Sequence, residues 1–98
     1  MYVILYRDQL LPGKKMSDFK EWLKKHFPIH QKWGAKDVKV LMPLYEETGL
    51  FYVTYSFESL DKWNEGLTSD EGERILESLG KVIDLSKTTC SVMVNIPV

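Results

Sequence analysis

Leu50-Phe51-Tyr52-Val53-Thr54-Tyr55-Ser56-Phe57 is the stretch on which the fold turns. Aromatic and β-branched residues of this kind suit a pleated, packed surface. Phe51, Val53, Tyr55 and Phe57 share one face, which is uniformly large and apolar and is therefore expected to meet helices. Leu50, Tyr52, Thr54 and Ser56 share the other, where hydroxyls mix with apolar groups, as on a face that meets another sheet, a ligand or a partner. A turn at Glu58-Ser59 follows, with Ser59 as N-cap of a short helix over residues 60–65. Gly66 breaks that helix. A second one is expected from Thr68, whose spacing to Glu71 is that of a capping box, with Asp70 and Glu71 at the positive helix end. Ile75, Leu76, Leu79, Val82 and Ile83 continue it at helical spacing.

Upstream, residues 2–7 read as a first strand, with Val3 and Leu5 on one face and Tyr2, Ile4 and Tyr6 on the other. Leu11-Pro12-Gly13 signals a turn. Ser17 is expected to cap a helix with the apolar stripe Phe19, Trp22, Leu23, His26, Phe27, His30 and Trp33. Pro28 removes one intrahelical bond, which predicts a kink or restart near residues 26–28, and Gly34 ends the helix. Val38, Val40, Met42 and Leu44 alternate in a second strand that Pro43 marks as an edge or an end. Glu46-Glu47-Thr48-Gly49 reads as the hairpin turn into the central strand. Residues 88–96 form a fourth strand, with Cys90, Val92, Val94 and Ile96 on one face. The order strand-helix-strand-strand-helix-strand is the ferredoxin-like α+β arrangement: one domain over residues 1–98, a four-stranded antiparallel sheet with helices on one face. The other face is expected to carry Tyr2, Ile4, Tyr6, Leu41, Leu50, Tyr52, Thr54 and Met93. It is too apolar for water, and a second copy about a two-fold axis is its simplest cover.

Composition narrows the function classes. With 98 residues, 44% hydrophobic and 28% charged, the chain is globular and large enough for one core. A net charge of −1 gives no general attraction to nucleic acid or anionic membrane. No apolar run is long enough to cross a bilayer, and the N-terminus enters a strand without a leader, so a soluble cytoplasmic protein is expected. The single cysteine, Cys90, excludes an internal disulfide and reads as a buried structural thiol. No glycine-rich nucleotide loop, serine elbow or flavin motif is present, and no cofactor is expected.

Phe57-Glu58-Ser59-Leu60-Asp61-Lys62-Trp63, followed by Thr68-Ser69-Asp70-Glu71-Gly72, resembles the strand-end and split-helix segment of dimeric α/β-barrel proteins. Within them the pattern is most similar to the EthD-like family and next to the antibiotic-biosynthesis monooxygenases. Pro12-Gly13 and His26-Phe27-Pro28-Ile29 look like the EthD-like proline-glycine turn and His-x-Pro signature. The resemblance implies a homodimer whose two sheets form a barrel, with a pocket between sheet and helices in each copy. Members include cofactor-independent monooxygenases, polyketide cyclases and isomerases. The chain departs from the pattern in having His30 one turn after His26, and a tryptophan-rich helix face that either lines or fills the pocket.

The chemistry-bearing candidates follow. His26 is the candidate acid/base, with Tyr52 or Tyr55 as catalytic partner positioning a phenolic or enolic substrate, because imidazole titrates near neutrality and burial shifts it easily. Trp22, His30, Trp33, Tyr6 and Phe19 are the candidate ligand-binding residues. The structural alternative is that His26 bonds the carbonyl freed by Pro28 and that the tryptophans, Trp63 among them, are core. His26 and His30 could share a metal, but no carboxylate or cysteine at a characteristic spacing completes a site, so none is expected. Thr48-Gly49-Leu50-Phe51-Tyr52 imitates an RNA-recognition strand, yet Thr48 stands where a basic residue belongs and Leu50 where an aromatic does. Lys14, Lys15, Lys20, Lys24 and Lys25 read as a solvated helix face. The expectation is a homodimeric, cofactor-independent enzyme acting on a hydrophobic or aromatic small molecule, or a non-catalytic ligand-binding or protein-interaction module of the same fold. A cavity of about 300 Å³ or more reaching His26 distinguishes the first from the second.

Overall fold

The structure, a computed structural model, describes residues 1–44 and 49–98. The described residues form β1 (Tyr2–Gln9), α1 (Met16–Lys32), β2 (Asp37–Leu41), β3 (Leu50–Phe57), α2 (Asp61–Leu67), α3 (Asp70–Leu79), a 3-10 turn (Leu85–Lys87) and β4 (Thr89–Val94). The strands make one antiparallel sheet in the order β2-β3-β1-β4. This is the ferredoxin-like α+β fold. The expected hairpin turn over residues 46–48 lies outside the described residues.

The central strand explains the layering. Phe51, Val53, Tyr55 and Phe57 are all buried, and Phe51 and Phe57 expose nothing. They form the core with Phe19 and Leu23 of α1 and Trp63 of α2. Register sets the phase of the neighbouring strand. Ile4 pairs with Tyr55, Tyr6 with Val53 and Asp8 with Phe51, and paired residues share a face. Tyr2, Ile4 and Tyr6 therefore face the helices, which corrects their expected place on the open face. That face carries Val3, Leu5 and Arg7 instead, beside Leu41, Leu50, Tyr52, Thr54 and Met93. Residues 2–6 are apolar on both sides, so alternation alone leaves their phase open.

The helix ends differ in detail from the sequence reading. Lys15, not Ser17, is the N-cap of α1, and its N–H donates to Asp18 Oδ2 at 2.8 Å. The helix runs through Pro28 without a restart. Pro28 and Lys24 are both exposed, so the carbonyl that loses its donor can turn to water. The two helices are separate as expected, but Gly66 lies inside α2 and the break falls after Leu67, with Ser69 as the cap: its Oγ accepts from Gly72 N at 3.1 Å. Thr68 Oγ1 instead donates back to the Asn64 carbonyl at 3.0 Å.

Cys90 is exposed, which corrects the buried thiol. The cause is topological: β4 is an edge strand, and every one of its residues is exposed in the isolated chain. No helix among the described residues is long and apolar enough to cross a membrane.

Candidate functional site

Between the sheet and the helices lies a cavity of about 280 Å³. Its floor is Tyr6 and Asp8 of β1 with Val53 and Tyr55 of β3. One wall is the buried stripe of α1, with Phe19, Trp22 and His30, continued by Trp33. Trp63 of α2 and Ile75 and Leu79 of α3 close the other side. Leu67, Leu76 and Leu85 line it too while remaining substantially exposed, so they mark an apolar rim.

The walls are aromatic and interlocked. Trp63 lies with its ring centroid 5.3 Å from Tyr55, 5.3 Å from His30 and 5.8 Å from Trp33. Trp22 and His30 are 5.8 Å apart, and the Trp22 Nε1–H is tied to Ser78 Oγ at 2.9 Å, which locks the indole to α3. Separations of this size are those of favourable edge and tilted ring pairs.

The polar groups in this lining are few, and burial disfavours the charged form of each titratable one. His30 is only 3% exposed, and among the described residues its Nδ1 has no hydrogen-bond partner. Burial, and then the nearby His26, push its pKa down to about 4. The Trp63 Nε1–H is likewise buried without a partner. Burial raises the Tyr6 phenol to about 12, with the neighbouring Cys90 thiol and Asp8 carboxyl adding to the shift. The Trp63 indole opposes it slightly from nearby, without closing a hydrogen bond of normal geometry. Tyr55 is shifted upward by burial and by Tyr6 and Asp8. Asp8, 5% exposed, is raised by burial in spite of the hydrogen bond that Thr88 Oγ1 donates to its Oδ1 at 3.0 Å.

The structure thus brings Tyr6, Phe19, Trp22, His30, Trp33 and Tyr55 to one cavity. It leaves two of the sequence candidates outside. Tyr52 stands on the open sheet face, paired with Arg7 and Leu41. His26 borders a second, shallow cleft with Lys25, Glu71, Arg74 and Ser78. Its Nδ1–H donates to the Trp22 carbonyl at 2.8 Å, so it caps its own helix turn and not the carbonyl freed by Pro28. The size criterion is nearly met, but at His30. The sequence reading misses Asp8 because it ends the first strand at Arg7, and misses Thr88 because it places that residue in the fourth strand with no sign of its partner. The signal was present: Asp8 continues the phase of Ile4 and Tyr6, and a polar residue in phase with a core face is informative. Among the described residues no group of three or more His, Cys, Asp or Glu is placed to hold a metal.

No family model matches the chain, and no curated protein matches it. Solved structures do. SnoaB, a cofactor-independent oxygenase from Streptomyces nogalater, superposes with a TM-score of 0.77 at 7% identity, over 99% of this chain and 94% of that one. The chain has the fold of these oxygenases. An antibiotic biosynthesis monooxygenase gives 0.72 at 9% identity, over 99% of this chain and 100% of that one. A conserved protein from Methanosarcina mazei gives 0.71 at 18% identity, over 94% and 89%. Identities this low carry the architecture and leave the chemistry to the residues.

Proposed function

We propose that the protein is a cofactor-independent enzyme, of monooxygenase, cyclase or isomerase type, acting on a hydrophobic aromatic small molecule inside this cavity. One observation carries the reading: a mostly apolar, aromatic-walled chamber opens at a leucine rim and contains a buried imidazole whose Nδ1 has no partner among the described residues. The acid–base role goes to His30 rather than His26, because His30 lines the chamber and His26 is bound to the Trp22 carbonyl outside it. A neutral imidazole carries one donor and one acceptor, so it can take a proton or hydrogen bond from a substrate hydroxyl and return it. With a pKa of about 4 it is a weak base at pH 7, which restricts it to acidic protons such as those of phenols and enols. Tyr55 and Tyr6 keep their protons and serve as donors that position the substrate oxygen. Pro12-Gly13 and His26-Phe27-Pro28-Ile29 favour an EthD-like relationship within the fold. A second reading, a non-catalytic binding module, is favoured by the neutrality of His30 and both phenols.

Thermal unfolding tests the chamber directly. Excess 1-naphthol should raise the melting temperature, since a ligand at a hundredfold excess over its Kd stabilises by about 2.7 kcal/mol. Leu76→Trp, at the exposed rim, should plug the entrance and abolish that rise while leaving the unliganded melting point close to the parent's. Absence of any shift with the parent would end the reading.

The same proposal includes a homodimer. Val3, Leu5, Leu41, Tyr52 and Met93 present an apolar face without cover in the isolated chain, and a second copy hides it at no cost in new sequence. The contact should bury roughly 1,200–2,000 Å² in total. Met93 is 42% exposed in the isolated chain, so Met93→Asp leaves the monomer fold intact. It should convert the dimer to monomer in light scattering, and a monomeric parent would refute the assembly.

A further inference from the structure

Asp8 is the lining group that the proposed chemistry leaves unused. Its Oδ1 accepts the Thr88 hydroxyl, and among the described residues no lysine, arginine or histidine lies within ion-pair distance of it. Among the described residues no lysine or arginine lines the cavity either. A carboxylate 5% exposed and without a cation is an expensive thing to keep, because its charge has left water and met no compensation. The cavity that Asp8 lines is otherwise walled by the rings of Tyr6, Tyr55, Trp22, Trp33 and Trp63. An aromatic face carries the negative part of its quadrupole, so it attracts a cation and repels an anion. Acid and rings therefore ask for the same sign of charge. His30, neutral at physiological pH, adds no repulsion.

We propose that the cavity selects an amine: a ligand with a compact aromatic or aliphatic body and one ammonium group, which sits against Asp8 while the body packs among the indoles. The inference rests on the reading of this cavity as a ligand site and names the class of ligand. The ammonium supplies the donors that the carboxyl lacks, in a water-poor setting where charge-assisted hydrogen bonds are strong. A lysine or arginine in the lining would neutralise Asp8 from within and fill the place the ligand takes. Anionic aromatic acids find no partner here.

Three probes with one body and three charges test this: phenethylamine, 2-phenylethanol and 3-phenylpropanoate, titrated calorimetrically into the full chain at pH 7. Phenethylamine should bind about tenfold tighter than the alcohol, and the carboxylate should not bind measurably. Asp8→Asn, which keeps an acceptor for Thr88, should bring the amine down to the level of the alcohol and leave the alcohol unchanged. Equal affinity of amine and alcohol, preference for the carboxylate, or an amine preference that survives in Asp8→Asn would overturn the amine assignment while the cavity reading stands. Failure of all three probes and of 1-naphthol would remove both.

Discussion

Gly72→Ala should destabilise the protein by about 3 kcal/mol, at the upper end of the usual range for overpacking. A Cβ at Gly72 would sit 2.2 Å from the Gly66 carbonyl oxygen and 2.7 Å from that of Leu67. Both are backbone atoms, so no rotamer change clears the space. The turn between α2 and α3 must open, and opening it pulls Gly72 N from Ser69 Oγ, the bond that caps α3. Nothing in the φ angle forbids alanine there; the objection is space alone. For a domain of this size the loss corresponds to a fall of more than about 10 °C in melting temperature. Gly66→Ala is the informative comparison. Its Cβ would lie 2.2 Å from Trp33 Cδ2, a side-chain atom. Trp33 is only partly buried and borders the cavity, so it has somewhere to go. Denaturant unfolding should rank Gly72→Ala well below Gly66→Ala in stability. Equal losses would mean that the α2–α3 turn yields as easily as a side chain.

The glycine contact shows where sequence reasoning stops. Periodicity identifies the strands and α-helices, because burial imposes a period of two or 3.6 on any element with one covered face, but it carries the last helix to Ile83, whereas α3 ends at Leu79 and Ile83 bridges to Leu10. The alternation within Leu50–Phe57 was enough to assign its helix-facing side. Residues 2–6 offered no such contrast, and only pairing with β3 placed Ile4 and Tyr6 under the helices. The same limit governed the site. His26 and His30 lie one turn apart on one stripe, and which of them reaches the cavity depends on how α1 lies across the sheet. That is a tertiary quantity with no local signature. Cys90 looked buried because its strand is apolar, but an edge strand that the helices do not cover leaves it exposed. Gly72 enters the sequence reading only as the end of the Thr68-Ser69-Asp70-Glu71-Gly72 motif, since close approach of two backbones leaves no mark beyond the glycine itself.

His30 makes the fold acid-sensitive in a defined window. Burial holds its pKa at about 4 in the folded state, against 6.5 for the free side chain. The unfolded chain therefore takes up a proton below pH 6.5 that the folded chain refuses until about pH 4. Stability is unaffected above the upper limit and falls as pH drops between the two. A gap of this size corresponds to about 3 kcal/mol. Asp8, with its raised pKa, acts in the opposite direction, because folded Asp8 holds a proton at a pH where the unfolded side chain has lost it. The measurement must therefore isolate the histidine, and His30→Leu does so with nearly the same volume and no titration. Denaturation curves across pH 4–7 should show the parent losing about 3 kcal/mol relative to His30→Leu on acidification. Parallel curves would show that the imidazole is solvated. At pH 7 the variant should be the more stable of the two, since it removes a buried Nδ1 that has no partner among the described residues, a defect worth about 1–3 kcal/mol. The same variant should lose turnover if His30 moves the proton. A polar atom that the isolated fold leaves unpaired, in a chamber that is otherwise oily, is what a ligand-completed site requires, and stability is the quantity it gives up.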